Sequence, residues 1–227
     1  MVEAELAAHR LTTDHWFSLL LYYITDRMQF PGGERERRER LLENITEAVS
    51  GGVDYVQLRE KDLPGRELEA LAQEAMERIR ASGGKTRLLI NSRTDVALAA
   101  GADGVHLRSR DVSPEDVRKI WHAAKGLAEP IVAVSCHIES EVAVAEKAGA
   151  DFVVFGPVFG KKDAPKMDNP GLDLLRAVCR NRIPVLALGG VSAENAALCI
   201  HAGAKGLAGI RLFQGSEVAE GVAKLRC

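Results

Sequence analysis

Two basic side chains follow the apolar stretch YVQL and form the first candidate site of chemistry. Arg59 and Lys61 flank Glu60. Successive side chains of an extended strand point to opposite faces, so the two cations share one side and the carboxylate lies on the other. A planar guanidinium beside an ammonium suits a cluster of anionic oxygens such as pyrophosphate. Three more cations, Lys161, Lys162 and Lys166, lie in one loop further along the chain. They either add positive charge to this anion site or belong to a hydrated loop without a role in binding.

The glycine pair Gly189–Gly190 is a second candidate anion site. Two consecutive residues without side chains, placed where a strand ends, let backbone N–H groups approach a phosphate. Ser192 and Asn195 follow, and they can cap a helix whose positive end points to the same place. A tight turn required only by chain geometry is the alternative. We interpret the pair as a phosphate site because it follows the seventh predicted strand, where a barrel of alternating strands and helices usually binds phosphate.

Two histidines and one aspartate are candidates for proton transfer and metal binding. His106 and His137 both lie where apolar strands end, and imidazole titrates near neutral pH. His106 lies between Val105 and Leu107, so its alternative is a hydrogen-bonded packing position. Asp111 is a candidate Mg²⁺ ligand, because Mg²⁺ usually combines protein carboxylates with phosphate oxygens and water.

Four copies of one short phrase show which elements position these residues. The phrases are GGVDYV, AGADGV, AGADFV and AGAKGL, and their aligned residues Asp54, Asp103, Asp151 and Lys205 lie 49, 48 and 54 residues apart. Each spacing is too long for one βα unit and suits two. The central glycine suits the left-handed residue that ends a helix, and the apolar run after it suits a buried strand.

Further apolar strands are predicted halfway between the repeats, at 18–25, 87–91, 131–135 and 184–190. Amphipathic segments predict helices at 67–80, 114–124, 139–148 and 172–180. Eight strands that alternate with helices predict an α/β fold, the (βα)8 TIM barrel. A doubly wound open sheet is the competing fold, and it normally uses about five or six strands.

Length and composition limit the class of protein. The 227 residues suit a single TIM-barrel domain over 18–227, preceded by an amino-terminal extension over 1–17. A net charge of −2, from 30 basic and 32 acidic residues that are interspersed, predicts no nucleic-acid partner. The apolar run at 19–24 is too short for a membrane span, and no signal peptide is evident. The four cysteines lack metal-ligand spacing, so we expect reduced thiols and a cytoplasmic location.

The predicted barrel brings the candidate residues to one end of the molecule. In this fold the reactive groups lie at the carboxyl ends of the strands and in the loops that follow. The residues at those ends are Gln57, Arg59, Glu60, Lys61, Asn91, Ser92, Arg93, His106, Arg108, Asp111, Ser135, His137, Gly189 and Gly190.

Four long segments at these strand ends form a family pattern. They are YVQLREK at 55–61, LLINSRTDVALAAGADGVHL at 88–107, VSCHIESEVAVAEKAGADFVVFGPVF at 134–159 and PVLALGGVSAENA at 184–196. With them the chain resembles the thiamine phosphate synthase family, which includes the related thiazole tautomerases, over nearly all of residues 19–214. The resemblance implies a transferase of thiamine biosynthesis that joins hydroxymethylpyrimidine pyrophosphate to thiazole phosphate and releases pyrophosphate.

The resemblance also implies a place for each small phosphorylated substrate. The pyrimidine pyrophosphate is expected on Gln57, Arg59, Lys61 and Asn91, with Mg²⁺ on Asp111. The thiazole phosphate is expected on Gly189 and Gly190. We expect catalytic roles for Ser135, His137 and Lys61. From their positions in the chain, and not from the resemblance, we also expect substrate contacts from His106, Lys162 and Arg211. The oligomeric state is open, with a homodimer as one option.

Several positions depart from the synthase pattern. Ser92 replaces one of the two usual metal carboxylates, and RSRD at 108–111 replaces a usual GQED. The loop at 160–171 lacks the usual threonines, and Arg211 replaces a usual serine. These changes leave open whether Arg108, Arg110 and Arg211 bind a ligand or block the site.

Three interpretations follow from these departures. In the first, which we favour, the added Lys and Arg side chains substitute for the lost carboxylate and metal charge, and the chain is a synthase. In the second it is a thiazole tautomerase, an isomerase that moves a proton on a thiazole carboxylate phosphate with His137. In the third it is a non-catalytic protein that binds a phosphate ligand.

Overall fold

A computed structural model describes residues 19–83, 85–124, 128–160, 170–215 and 218–226. The amino-terminal extension at 1–17 lies outside the described residues, as does the basic loop that contains Lys162. The predictions made for these two segments stay predictions.

Eight parallel strands form the centre of the molecule. They are β1 (Leu20–Ile24), β2 (Tyr55–Leu58), β3 (Arg87–Asn91), β4 (Gly104–Leu107), β5 (Ile131–Cys136), β6 (Phe152–Phe155), β7 (Val185–Ala187) and β8 (Gly206–Gly209). Neighbours in the chain are neighbours in the sheet, and β8 returns to pair with β1, with Tyr22 opposite Ala208. This closed ring confirms the predicted TIM barrel and excludes the open sheet. β7 is shorter than predicted, so Gly189–Gly190 lie in the loop after it.

Helices lie between successive strands, and a short 3₁₀ helix, Arg27–Gln29, follows β1. The α-helices are α1 (Glu34–Ser50), α2 (Gly65–Ala81), α3 (Thr94–Ala100), α4 (Pro114–Ala123), α5 (Glu139–Lys147), α6 (Pro170–Val178), α7 (Ala196–His201) and α8 (Val218–Arg226). α4 begins as its sequence predicts, because Ser113 Oγ accepts the Asp116 backbone N–H at 3.1 Å. In the described ranges, none of the helices has the length and apolar character of a membrane span.

Apolar side chains fill both the barrel and the layer between strands and helices. Inside the barrel, Tyr22, Leu89, Phe152, Val154 and Leu186 are all buried. The Tyr22 and Phe152 rings meet edge to face, with centroids 5.5 Å apart. Because this packing closes the interior, the carboxyl-end mouth is where we expect a ligand.

The repeated aspartates stabilise the opposite end of the barrel. Each lies just before an even-numbered strand, and its Oδ2 atom accepts a backbone N–H of the preceding strand. The three bonds are Asp54 from Leu21 at 2.7 Å, Asp103 from Leu88 at 2.8 Å and Asp151 from Val132 at 2.6 Å. Each carboxylate also pairs with an arginine: Arg226, Arg87 and Arg118, respectively. The repeat is therefore structural.

The repeat glycines behave as the sequence predicts. Gly52, Gly101, Gly149 and Gly203 have φ angles of 94°, 65°, 80° and 103°, which L side chains rarely adopt. They reverse the chain at the end of a helix before the next strand begins. The positive φ angle of each glycine and the hydrogen bonds of the aspartates together account for the repeated sequence.

Replacement of Asp103 by Ala should lower the free energy of unfolding by roughly 1–3 kcal/mol, because the Leu88 backbone N–H loses its acceptor at a partly buried position. Asp103→Asn retains an oxygen acceptor and should lose less. Asp173→Ala, which removes an exposed carboxylate paired with Arg176, is the control and should change stability by less than about 0.5 kcal/mol. Urea unfolding followed by circular dichroism measures all three. An Asp103→Ala protein as stable as the control would contradict this role.

Candidate active site at the barrel mouth

Two amide side chains lie at the carboxyl end of the barrel interior. Gln57 on β2 is buried, and its Nε2 donates to Asn91 Oδ1 on β3 at 2.8 Å. Each amide fixes the orientation of the other, and the pair carries no charge. Amides offer both donors and acceptors, so this pair suits the ring nitrogens and amino groups of a neutral heterocycle.

A chain of three hydrogen-bonded side chains crosses the interior from β1 through β4 to β5. Tyr22 OH lies 2.9 Å from His106 Nδ1, and His106 Nε2 lies 2.7 Å from Ser135 Oγ. Within the described residues, His106 is the partner found for the buried Tyr22 hydroxyl. The tyrosine O–H must donate to Nδ1, since its proton otherwise has no acceptor. The Nε2–H then donates to Ser135, and the serine O–H is left to donate to a ligand.

His106 is neutral in this arrangement. Burial lowers its pKa to about 3, and the positive charge of Arg59 adds to this effect while Asp111 opposes it. Both ring nitrogens are already bonded, and only 2% of the residue is exposed. The geometry favours the hydrogen-bonded interior position over direct contact of His106 with a substrate.

The basic segment after β2 is supported by a buried carboxylate. Glu60 is 4% exposed, and it accepts the Thr25 hydroxyl at 2.6 Å and an Arg27 Nη1–H at 3.1 Å. Thr25 Oγ1 in turn accepts the Arg59 backbone N–H at 3.0 Å. Glu60 is buried while Lys61 is exposed, as the alternation of a strand predicts. This network fixes the backbone from which the two cations project.

Arg27 is a supporting residue that the sequence analysis missed. Its side chain is 3% exposed and also pairs with Glu34 at 2.8 Å and Asp62 at 2.7 Å. The hydrogen bonds that Arg27 donates to Asp62 are the largest cause that raises the pKa of Arg27, so the guanidinium is permanently charged. A single arginine after a strand carries no sequence signal, because two of its three carboxylate partners are 33 and 35 positions away.

Three cations converge at the mouth. The positive charge of Arg59 is the largest cause that lowers the pKa of Lys61, followed by desolvation and by Arg108. Arg108 follows β4, which only β3 separates from β2, so the ends of the two strands lie on the same side of the mouth. Mutual repulsion of this kind is relieved when a polyanion binds.

Asp111 is surrounded by hydrogen-bond donors. Arg108 contacts Oδ1 through Nε at 3.1 Å and Nη2 at 2.9 Å, and its backbone N–H donates to Oδ2 at 2.8 Å. Ser92 Oγ donates to Oδ2 at 2.6 Å. Desolvation raises the pKa of Asp111, but the bonds from Arg108 and Ser92 outweigh it, and the pKa is lowered.

This donor set does not fit the Mg²⁺ ion that the resemblance implies for Asp111. Both carboxylate oxygens already accept donors, and a guanidinium lies against them. Ser92 supplies a hydroxyl where the family pattern has a second carboxylate. Elsewhere in the described ranges, no group of three His, Cys, Asp or Glu side chains is placed to hold a metal.

His137 follows β5 directly and is exposed at the mouth. Its Nδ1 lies 2.7 Å from the Gly156 carbonyl oxygen, so Nδ1 carries a proton and donates it. Its backbone N–H donates to Glu141 Oε2 at 2.6 Å. In the neutral ring, Nε2 is then the basic nitrogen, and this tautomer suits proton transfer.

Gly189 and Gly190 have φ angles of 94° and 64°. A Cβ atom on Gly189 would lie 2.7 Å from Pro157 Cα, and one on Gly190 would lie 2.8 Å from Phe159 Cβ. The turn and the loop packed against it therefore require glycine with or without a phosphate. Arg211 follows β8 at the same side of the mouth and is exposed.

Asn195 acts differently from the predicted helix cap. Its Oδ1 accepts the Ser192 backbone N–H at 2.8 Å, and its Nδ2 donates to the Gly190 carbonyl at 2.9 Å. Its side chain makes no capping bond to α7. Asn195 therefore stabilises the loop that follows the glycine pair.

A cavity of about 350 Å³ lies next to this site but outside the barrel. It separates α4 from α5, with Val112 and Val144 among its apolar walls and Asp111 and Glu141 at its polar edge. The convergent polar groups described above lie at the mouth, and we place the candidate site there.

The family model of thiamine monophosphate synthase matches residues 21–213. The chain belongs to this family. A Geobacter sulfurreducens protein is 43% identical over 190 residues, which cover 83% of each chain. The thiamine-phosphate synthase of Syntrophomonas wolfei is 38% identical over 208 residues, 90% of this chain and 92% of that one.

Solved structures agree with the family assignment. Thiamine phosphate pyrophosphorylase from Pyrococcus furiosus superposes with a TM-score of 0.75 at 30% identity, covering 93% of this chain and 95% of that one. A 3-hexulose-6-phosphate synthase superposes with a TM-score of 0.63 at 18% identity, a likeness that concerns the fold alone.

His106 should make this family member less stable in mild acid. The pKa of His106 is about 3 in the folded protein and near 6.5 in the unfolded chain. Between pH 6.5 and pH 3, therefore, the unfolded chain protonates this imidazole and the folded protein does not. Stability from this residue is present above pH 6.5 and is lost as the pH falls, by on the order of 2 kcal/mol between pH 7 and pH 5. Denaturant unfolding at the two pH values measures the loss. His106→Gln should show a smaller pH dependence, and an unchanged one would contradict the neutral assignment.

Thr25→Val should weaken pyrophosphate binding and lower the free energy of unfolding by about 1–3 kcal/mol, since Glu60 and the Arg59 backbone N–H both lose a buried partner. Thr46→Val is the matched control, because the bond that the described residues give the Thr46 hydroxyl lies within α1, to the Leu42 carbonyl. Calorimetric titration and urea unfolding measure the two effects. Unchanged pyrophosphate affinity in Thr25→Val would show that the network does not position the cations.

Proposed function

We propose that this chain is a thiamine-phosphate synthase. It joins hydroxymethylpyrimidine pyrophosphate to thiazole phosphate, forms thiamine phosphate and releases pyrophosphate. The observation that carries the proposal is the convergence of Arg59, Lys61 and Arg108 beside the neutral Gln57–Asn91 pair. Family membership and relatives named thiamine-phosphate synthase support it.

The reaction needs no proton transfer at the atoms that react. The bond between the pyrimidine methylene carbon and its diphosphate oxygen breaks, and both electrons leave with pyrophosphate. The thiazole nitrogen gives its lone pair to the methylene carbon, and the new C–N bond forms. The protein has to align the two substrates, stabilise the pyrophosphate leaving group and exclude water from the positively charged methylene carbon.

Each of these tasks has candidate residues at the mouth. Arg59 and Lys61 bind the diphosphate, and the Gln57–Asn91 pair orients the pyrimidine. Ser135 donates its hydroxyl proton to a substrate acceptor, because His106 already donates to the serine oxygen. The interior beneath them is packed with apolar side chains, which keep water from the reacting carbon.

The thiazole phosphate binds across the mouth from the diphosphate. Backbone N–H groups around Gly189 and Gly190 provide donors, and Arg211 adds a positive charge from the loop after β8. Lys162 belongs to the same proposal as a further substrate contact. A homodimer and a cytoplasmic location stay predictions.

His137 favours a second candidate function, thiazole tautomerisation. Its Nδ1 is fixed by the Gly156 carbonyl, which leaves Nε2 as a base at the mouth. The synthase reaction above has no proton for this base to move. A tautomerase would use it to transfer a proton on the thiazole ring of a thiazole carboxylate phosphate.

Two variants distinguish these functions. In a thiochrome assay with both synthase substrates, Arg59→Gln should reduce kcat/KM by about 100-fold, because a leaving-group contact is lost. Arg35→Gln, on the exposed face of α1, is the control and should match the wild type. His137→Gln should retain most synthase activity. Absence of product in the wild type, together with proton exchange on the thiazole that His137→Gln abolishes, would replace the synthase by the tautomerase.

A further inference from the structure

The guanidinium of Arg108 is exposed and lies close enough to Lys61 at the mouth to help lower the pKa of that ammonium. Its side chain is 70% exposed, whereas that of Asp111 beneath it is 10% exposed. The Nε and Nη2 atoms both contact the carboxylate, so the plane of the guanidinium is fixed. The Arg108–Asp111 pair therefore presents a positive outer edge.

Arg108 retains hydrogen-bonding capacity after it binds Asp111. A guanidinium carries five N–H donors. Nε and one N–H of Nη2 contact the carboxylate. With respect to the described residues, this leaves both N–H groups of Nη1 and the second one of Nη2. Donors fixed in advance in this way bind phosphate oxygens with little further loss of entropy.

Ser92 reinforces this arrangement from the loop after β3. Its φ angle is 59°, in the left-handed region that non-glycine residues rarely occupy. The conformation accompanies the 2.6 Å bond from Ser92 Oγ to Asp111 Oδ2. Aspartate tolerates this region better than serine does, so the backbone would accept a carboxylate. This chain instead has a hydroxyl that donates to the one carboxylate present.

The charges around Asp111 favour an anion over a divalent cation. Arg59, Lys61 and Arg108 supply three positive charges against the negative charges of Asp111 and of Asp26, which also acts on Lys61. An approaching Mg²⁺ ion would meet these cations and would have to displace the Arg108 and Ser92 donors. A diphosphate meets an attractive field and free N–H donors.

We propose that Arg108 binds the diphosphate directly, together with Arg59 and Lys61, and that this chain binds diphosphate without a divalent metal. The proposal rests on the proposed synthase function for the identity of the diphosphate substrate. Arg108 then supplies positive charge where the family pattern has a metal site.

Calorimetric titration of sodium pyrophosphate into EDTA-treated protein tests this directly. We expect saturable binding by the wild type and a Kd that is about tenfold or more higher in Arg108→Gln, because charge-assisted hydrogen bonds are lost. Arg110→Gln is the matched control, since Arg110 is an exposed arginine of the same loop, and its Kd should stay within about twofold of the wild type.

A double variant, Ser92→Asp with Arg108→Gln, tests the exchange of charge. It supplies a second carboxylate and removes the guanidinium, so its pyrophosphate binding should be weak in EDTA and should recover in MgCl₂. Binding in EDTA as tight as that of the wild type would overturn the proposal.

Other results would also overturn it. These are wild-type binding that appears only with MgCl₂, an Arg108→Gln Kd within about twofold of the wild type, and an equal loss in Arg110→Gln. The thiochrome assay with and without EDTA separates this proposal from the proposed function. Product formed with MgCl₂ but not in EDTA keeps the synthase and overturns the metal-free site. Absence of product in both, with Arg108-dependent binding in EDTA, keeps the anion site and overturns the synthase.

Discussion

Closure of the parallel sheet is the constraint on which the site depends. Pairing of β8 with β1 brings eight carboxyl ends into one ring, so Arg59, Arg108 and Gly190 lie at one mouth although they are far apart in the sequence. The same closure brings the amino ends of the strands together, where Asp54 and Asp103 bond to neighbouring strands. The two ends of the barrel therefore have different roles. The most regular feature of the sequence stabilises the barrel, and the irregular strand ends carry the chemistry.

The polar groups inside the barrel depend on complete hydrogen bonding. A charged imidazole at the position of His106 would have to be desolvated, and its low pKa expresses that cost. The neutral ring has one donor and one acceptor, and Tyr22 determines which nitrogen is which. A buried hydroxyl on β1 thereby determines that Ser135 on β5 is a donor toward the mouth. The packed core and the proposed chemistry are connected through this one proton.

The fold could be predicted from the sequence because its signals are local. Glycines that end helices, apolar strands and the spacing of the repeats all lie within short segments, and the rule for strand ends then gives the polar residues of the mouth. Side-chain partners could not be predicted in this way. The sequence predicts that the Asp111 carboxylate is a metal ligand. In the structure, however, this carboxylate accepts hydrogen bonds from Arg108 and Ser92. The support of Glu60 by Arg27 likewise depends on residues that only the tertiary fold brings together.

The sequence was also ambiguous at the glycine pair, for a physical reason. A turn with positive φ and a backbone that approaches a phosphate both require the absence of Cβ, so residue type alone does not separate them. In the structure the contacts of Gly189 with Pro157 and of Gly190 with Phe159 are sufficient to require glycine. The phosphate assignment therefore depends on position in the barrel and on the test of function, and glycine itself adds no evidence.

The distribution of charge explains how one mouth can accept two anionic substrates in the proposed reaction. Glu60 is neutralised from below by Arg27 and Asp111 from above by Arg108, so neither carboxylate opposes an incoming phosphate. The remaining cations, Arg59 and Lys61, then lie after β2, which suits the more highly charged diphosphate. The opposite side, after β7 and β8, offers neutral backbone donors and the charge of Arg211, which together suit a monophosphate. Because the two anions lie on opposite sides, their repulsion is reduced, and the uncharged interior between them is left for the bond that forms.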